Sequence, residues 1–176
     1  MVLSDNAKRF AIAREVYRGK TNQYLTNGLI LPTFIGIGYL LSRAINKKLF
    51  LFKKPPIFRG IMYCIVATAS IYTGVLFEDI KKYYLDIALD EKTCKLGAEY
   101  TKGGIELYDN TIKWNLAFRL LAHENWGKDM FNLEGNCWPS LFRPHKHIPI
   151  TLRRQTCVDA YTTLKDKGVE QFTEEK

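Results

Sequence analysis

Charged side chains vanish from two stretches of the chain and crowd the segment between them. Thr21 to Ser42, 22 residues, and Gly60 to Phe77, 18 residues, contain no Asp, Glu, Lys, Arg or His. A helix rises about 1.5 Å per residue and a bilayer core is about 30 Å thick, so each stretch spans or nearly spans it. Residues 43–59 between them hold six basic residues and no acidic one. The pattern predicts a transmembrane helical hairpin with a strongly basic loop. A pair of buried core helices is the alternative, because the second stretch is short for a span.

Elsewhere the apolar positions keep helical spacing. Ser4 is placed to cap a helix running to about Arg18, with Phe10, Ala13, Val16 and Tyr17 as its stripe. Arg9, Arg14 and Arg18 lie mostly off that stripe. Such a helix lies in the head-group layer or packs on the C-terminal domain. The second span should continue past Phe77 through Ile80, Tyr84, Ile87, Cys94 and Ala98, until Gly103-Gly104 breaks it. Ile105, Tyr108, Ile112, Leu116 and Leu120 then give a 3.6-residue stripe, widened by Trp114, Phe118 and Leu121, that ends near Gly127. Residues 127–150, with Pro139, Pro144 and Pro149, read as irregular. Thr151 should cap a last helix to about Lys167, which Gly168 ends.

The expected fold is therefore mostly α. A basic amphipathic helix covers 1–20, spans cover 21–42 and 60–77, and a basic loop covers 43–59. A helical C-terminal domain covers 78–168 and a polar tail 169–176.

Small residues recur on both spans. Gly28, Pro32 and Gly36 repeat every four residues, and Pro32 should kink its helix. Gly60, Cys64, Ala67, Ser70 and Gly74 fall on one face of the second span. Such faces let helix backbones approach closely. Either the two faces pack on each other or one receives a helix from a partner. No charge lies within either span, so nothing suggests a proton relay or ion path.

The chain carries +8, and the surplus is uneven. Residues 1–20 have five basic and two acidic residues, and the loop has six basic and none acidic. Residues 78–176 have 15 basic and 16 acidic, so the folded part is near neutral. That distribution suits anionic lipid head groups rather than nucleic acid, which needs a basic face on a folded domain.

Candidate chemistry is sparse. Cys64, Cys94, Cys137 and Cys157 show no C-x-x-C spacing, although a Cys137–Cys157 bridge fits an oxidising compartment. Cys137 with His145 and His147 is the one candidate copper or zinc set, and Cys137 also reads as a small buried apolar residue. No nucleophile elbow, P-loop, dinucleotide fingerprint or H-E-x-x-H is present. Glu106 and Asp109 read as solvated charges or as first-turn charges that favour the helix dipole. Arg143, Lys146, His147, Arg153 and Arg154 form a basic cluster around Pro149. It reads as a surface for lipid phosphate or an acidic partner, or as a solvated loop edge. Neither a small-molecule substrate nor a cofactor is expected.

Several short motifs occur in a specific order. Phe10-Ala11-Ile12-Ala13-Arg14-Glu15-Val16 precedes the hairpin. Leu89-Asp90, Lys92-Thr93, Leu96, Ala98 and Tyr100 follow it, then Gly103-Gly104-Ile105-Glu106-Leu107-Tyr108. Asn115-Leu116-Ala117, Arg119 and Leu121 come next. Gly135-Asn136, Leu141-Phe142-Arg143, Lys146-His147-Ile148-Pro149 and Arg153-Arg154 complete the series. From about Ser4 to about Leu164 the chain resembles the transmembrane protein 177 family.

The resemblance implies a two-span protein of the mitochondrial inner membrane without enzymatic activity or cofactor. It implies an accessory role in cytochrome c oxidase biogenesis. The partners would be newly made subunit 2 and the small membrane chaperone that holds it. Family members carry a long segment ahead of the first motif, so a short or truncated form lacking that segment is expected. The four cysteines are not part of the motif series. The charge count places the basic loop in the matrix and both tails in the intermembrane space.

Overall fold

Ser4 begins the first helix as expected: its side-chain oxygen accepts from the Ala7 amide at 3.2 Å. The computed structural model describes residues 3–122, 126–144 and 146–166. Helix α1 is Asp5–Lys20, α2 Gln23–Leu49, α3 Pro56–Cys94, α4 Ala98–Leu121, α5 Trp126–Met130 and α6 Ile150–Asp166. A single 3-10 turn covers Leu51–Lys53. Among the described residues there are no strands, only isolated bridges pairing Phe131 with Cys137 and Ser140 with Arg143. The chain divides into two units, Asn22–Lys81 and Met1–Thr21 with Lys82–Lys176.

In the unit Asn22–Lys81, both uncharged stretches are helical. Two helices are long and apolar enough to cross a membrane, Leu25–Leu49 and Pro56–Cys94. Their apolar side chains point outward; Leu40 and Ile65 are each 63% exposed. That is the surface a lipid-facing helix presents, and not that of a buried core helix.

The expected basic loop is much shorter than 43–59. No residue after Ser42 breaks α2, which runs to Leu49 with Lys47 and Lys48 in its last turn, where cations suit the helix dipole. Phe50 then turns the chain with φ 50°. Pro56 opens α3 at the position where a missing N–H costs nothing. Helix α2 also continues through Pro32.

The helices of the hairpin meet at residues only partly anticipated. A Cβ on Gly38 would stand 2.4 Å from Ser70 Oγ, and one on Gly74 would stand 3.2 Å from Phe34 Cβ. Phe34 packs on Phe77 with ring centroids 5.7 Å apart. Asn46 Nδ2 donates to the Tyr63 hydroxyl. At the other end Lys81 Nζ donates to Asn27 Oδ1 at 2.9 Å. Ser70 and Gly74 thus form part of the contact, whereas Gly28, Gly36 and Gly60 face open space. Gly38, which marks the seam, stands two residues beyond Gly36 and so about half a turn around α2 from the four-residue repeat.

Gly74→Leu is therefore expected to cost the hairpin about 1–3 kcal/mol by overpacking. Gly28→Leu and Gly36→Leu should cost little. Thermal unfolding followed by circular dichroism in neutral detergent distinguishes these outcomes.

In the other unit, α1 and α6 both pack on α4. Gly103-Gly104 does not break a helix. A Cβ on Gly103 would stand 2.2 Å from the carbonyl oxygen of Asn6. A Cβ on Gly104 would stand 2.8 Å from the Phe10 ring and 2.9 Å from Cys157 Sγ. The glycines let three helices close on one another, which outweighs the roughly 1 kcal/mol that each costs inside a helix. The break lies earlier, at Gly97, whose φ of 143° suits only glycine.

The core of this unit is Phe10, Cys94, Tyr108 and Cys157. Phe10 meets Tyr108 edge-on at 6.0 Å. The expected stripe on α1 needs correction, because Arg14 is buried and Val16 is 53% exposed. The Cys157 sulfur lies 3.5 Å from that of Cys94 and both are free thiols, so the Cys137–Cys157 bridge is not formed. The hydrogen bond with Cys94 and burial push the Cys157 thiol up from its ordinary pKa.

Candidate functional site

Polar chemistry in the helical domain converges on Asp90, a residue without exposed surface on the inner side of α3. Its Oδ1 accepts from Arg14 Nε at 2.8 Å, the Tyr108 hydroxyl at 2.8 Å and Arg153 Nη2 at 2.9 Å. Its Oδ2 accepts from Arg153 Nε at 2.7 Å, making that pair bidentate. One turn earlier on α3, Asp86 Oδ1 accepts from Arg14 Nη2 at 2.6 Å and Arg18 Nη2 at 2.5 Å. Glu15 receives Arg14 Nη1 at 2.8 Å and Arg18 Nη1 at 3.1 Å. Three guanidinium groups thus meet three carboxylates, and four helices contribute.

The electrostatics suit a clasp, not a catalyst. Burial, and then the Asp90 charge, push the Tyr108 hydroxyl well above the ordinary phenol range. Burial opposes the Arg153 charge, but the hydrogen bonds to Asp90 and the nearby Tyr108 outweigh it and raise its pKa. The Arg153 guanidinium also lies 4.7 Å from the centre of the Tyr108 ring. Neither group exchanges a proton near neutral pH, and both Asp90 oxygens are held by donors. Low dielectric makes each bond count, and leaves any unpaired member costly.

Arg153 and Arg154 therefore leave the expected partner surface. Arg153 belongs to the clasp, and Arg154 Nε donates to Asp109 Oδ1. Cations near the start of a helix oppose its dipole, and here carboxylates on α3 and α4 answer them. Of the rest of that cluster, Lys146 and His147 are exposed and Arg143 is half-buried.

Glu106 and Asp109 are likewise not first-turn charges, since α4 starts at Ala98. Glu106 accepts from the Ser4 amide at 3.0 Å and from the Ser4 hydroxyl, which ties down the start of α1. Those bonds, the side-chain one first, lower the Glu106 pKa from its usual 4.5. A lowered folded-state pKa contributes stability above the unfolded value that is lost as pH falls through the folded one. Glu106→Gln should therefore lower the denaturation midpoint at pH 7. The gap from the parent should close as acid protonates Glu106, which urea titrations at a series of pH values measure.

The irregular segment is built from side chain to backbone bonds. Asn115 Nδ2 donates to the Gly135 carbonyl at 2.8 Å, and Gly135 turns with φ 78°. Asn136 Oδ1 accepts from the Thr151 amide at 3.1 Å, serving the open end of α6. Arg119 Nη1 donates to the carbonyls of Lys128 and Phe131 at 3.1 and 2.5 Å. Around these anchors lies an exposed apolar set: Leu120, Leu121, Leu133 and Leu141 are 81–88% exposed, and Trp126 70%. The expected stripe of α4 thus buries Tyr108 but leaves Leu120, Leu121 and Trp114 outside.

Cys137 is half-buried, and burial raises its thiol pKa. His145 lies outside the described residues. Among the described residues, no three His, Cys, Asp or Glu side chains stand together so as to hold a metal ion.

Asp90, Arg14 and Tyr108 escaped functional notice in the sequence because each sits singly in a helical pattern. The usable signal was polar: Asp90 follows Leu89 on the buried side of its helix, and Arg14 lies one turn beyond buried Phe10. Both also fall within the ordered motifs.

The family profile described as Transmembrane protein 177 matches residues 1–136. The human protein named Transmembrane protein 177 is 27% identical over 168 residues, covering 96% of this chain and 54% of its own length. That of Danio rerio is 30% identical over 170 residues, covering 96% and 53%. That of Xenopus laevis is 29% identical over 163 residues, covering 93% and 52%. The chain spans about half the length of these curated relatives. No solved structure matches it. The match takes in α1, both span-length helices, Asp90 and the paired glycines of α4, and on that basis the chain belongs to the transmembrane protein 177 family.

Proposed function

We propose that the chain is a non-enzymatic accessory factor of the mitochondrial inner membrane. It stabilises newly made cytochrome c oxidase subunit 2 during assembly, together with a membrane chaperone. Family membership carries this reading, since the family's name describes a membrane protein and no reaction. Two physical features support it. The buried polar groups are spent on holding helices together, leaving no poised nucleophile or base in the clasp. The domain also displays Leu120, Leu121, Leu133 and Leu141 to solvent, and exposed apolar groups of that size mark contact surfaces.

The test is pulse-labelling of mitochondrial translation products in cells of the source organism lacking the gene. Newly made subunit 2 should decay faster than other products, and the wild-type chain should restore it. Leu120→Glu with Leu121→Glu alters exposed positions, so the protein should remain folded and abundant yet fail to restore the subunit. Unchanged decay in the null cells would sink the proposal.

For orientation, the basic turn lies in the matrix and both tails in the intermembrane space, because the basic residues at 43–59 outweigh the flanks. A C-terminal tag should become protease-sensitive in mitoplasts. Most of the chain should also stay in the pellet on carbonate extraction.

The alternative of a membrane-anchored metal or redox protein using Cys137, His145 and His147 finds no support in the arrangement of the described residues.

A further inference from the structure

A groove of about 1120 Å³ runs between α2 and α3 of the hairpin, larger than the roughly 300–1,000 Å³ typical of small-molecule pockets. It lies wholly within the unit Asn22–Lys81. Its inner part is apolar, walled by Ile35, Gly38, Ala67 and Ile71. Its outer end is rimmed by Arg43 and Lys47, one turn apart on α2, and by Lys53 from the 3-10 turn.

Two independent observations say what fills it. The first is charge. No acidic residue occurs between Glu15 and Glu78, so none lies on α2, on the turn or on α3 before Glu78 to answer these cations. The second is an orphaned acceptor. Asn46, which lines the groove between Arg43 and Lys47, is only 7% exposed. Its Nδ2 donates to Tyr63, but its Oδ1 is buried without a hydrogen-bond partner. A buried polar atom left unpaired is costly, so a donor from outside the chain is wanted there.

We propose that the groove is a specific site for one anionic phospholipid whose head group carries a hydroxyl. The phosphate meets Arg43, Lys47 and Lys53, and the head-group hydroxyl donates to Asn46 Oδ1. An acyl chain lies along the inner wall, where Gly38 and Ala67 leave room. A soluble anion would satisfy the rim but leave the apolar wall wet, whereas a lipid satisfies both. The rim also stands where the span-length helix ends, at the depth of head groups.

The test uses the full chain in neutral detergent and native mass spectrometry with three dioleoyl lipids: phosphatidylglycerol, phosphatidylmethanol and phosphatidylcholine. Phosphatidylmethanol keeps the charge but has no hydroxyl to donate. One phosphatidylglycerol should be retained per chain, with a preference over phosphatidylcholine of about tenfold or more. Phosphatidylmethanol should fall between them. Asn46→Leu should make the two anionic lipids equivalent while leaving the preference over phosphatidylcholine. Arg43→Gln with Lys47→Gln and Lys53→Gln should abolish that preference. Lys48→Gln with Lys54→Gln, which removes charge nearby but outside the groove, should not. Equal effects of the two charge-removing sets would overturn the site in favour of diffuse attraction to a basic turn. Equal retention of phosphatidylglycerol and phosphatidylmethanol by the unaltered chain would overturn the role of Asn46. Circular dichroism confirms that each variant is folded, and the lipid comparison on the parent chain needs no variant.

Discussion

Replacing Arg153 with Glu will unfold the helical domain. The substitution removes a bidentate partner of Asp90 and sets a second carboxylate beside that fully buried one. Breaking a buried ion pair from one side costs about 3–5 kcal/mol, a large share of the roughly 5–15 kcal/mol that holds a domain. Near-UV circular dichroism from Tyr108 and its neighbours should collapse, and urea should denature the variant at far lower concentration. Arg154→Glu is the informative contrast. It breaks a pair whose partners are 38% and 37% exposed, and such pairs contribute about 0–1 kcal/mol. Two adjacent arginines with the same sequence appearance should therefore differ sharply. Equal, small effects would show that the Asp90 cluster does not hold the helices together.

Gly103→Leu should release α1. The added Cβ would overlap the Asn6 backbone carbonyl, which cannot rotate away as a side-chain tip can. The cost should reach the upper end of the roughly 1–3 kcal/mol of overpacking, or exceed it. With α1 displaced, Arg14 no longer reaches Asp90 and Ser4 no longer reaches Glu106. Brief trypsin treatment should then cut at Arg14 and Arg18, which the helix and its ion pairs should protect in the parent. Gly19→Leu, where nothing lies within 4 Å, should leave the digestion pattern unchanged. Persistence of α1 protection in Gly103→Leu would rule out the close crossing.

The features legible in the sequence were those governed by local pattern. Uncharged length revealed both span-length helices and the Ser4 cap revealed α1, whereas Thr151, expected as the cap of the last helix, lies inside α6, which starts at Ile150 and whose Thr151 amide is served by Asn136. Gly103-Gly104 was misread because a glycine pair has two physical uses, breaking a helix or letting another backbone approach. Only the presence of Asn6 and Phe10 decides between them, and that is a long-range fact. Gly38 was missed for the same reason, since Gly28 and Gly36 share its chemistry but not its neighbour Ser70. The basic cluster was misjudged because Asp90 lies 63 residues before Arg153. Nothing local distinguishes an arginine destined for a buried carboxylate from one facing water.

The clasp also sets a timetable. Arg14 and Arg153 grip the same carboxylate but are made 139 residues apart, the difference of their positions. At synthesis rates of about 5–20 residues per second, α1 must wait about 7–28 s before its last partner exists. During that interval both span-length helices are made. An odd number of membrane crossings between Arg14 and Asp90 would leave them in different compartments, unable to meet. Closure of the clasp is therefore compatible only with an even number of crossings, and a chain threaded once would keep Phe10 and Arg14 without their partners.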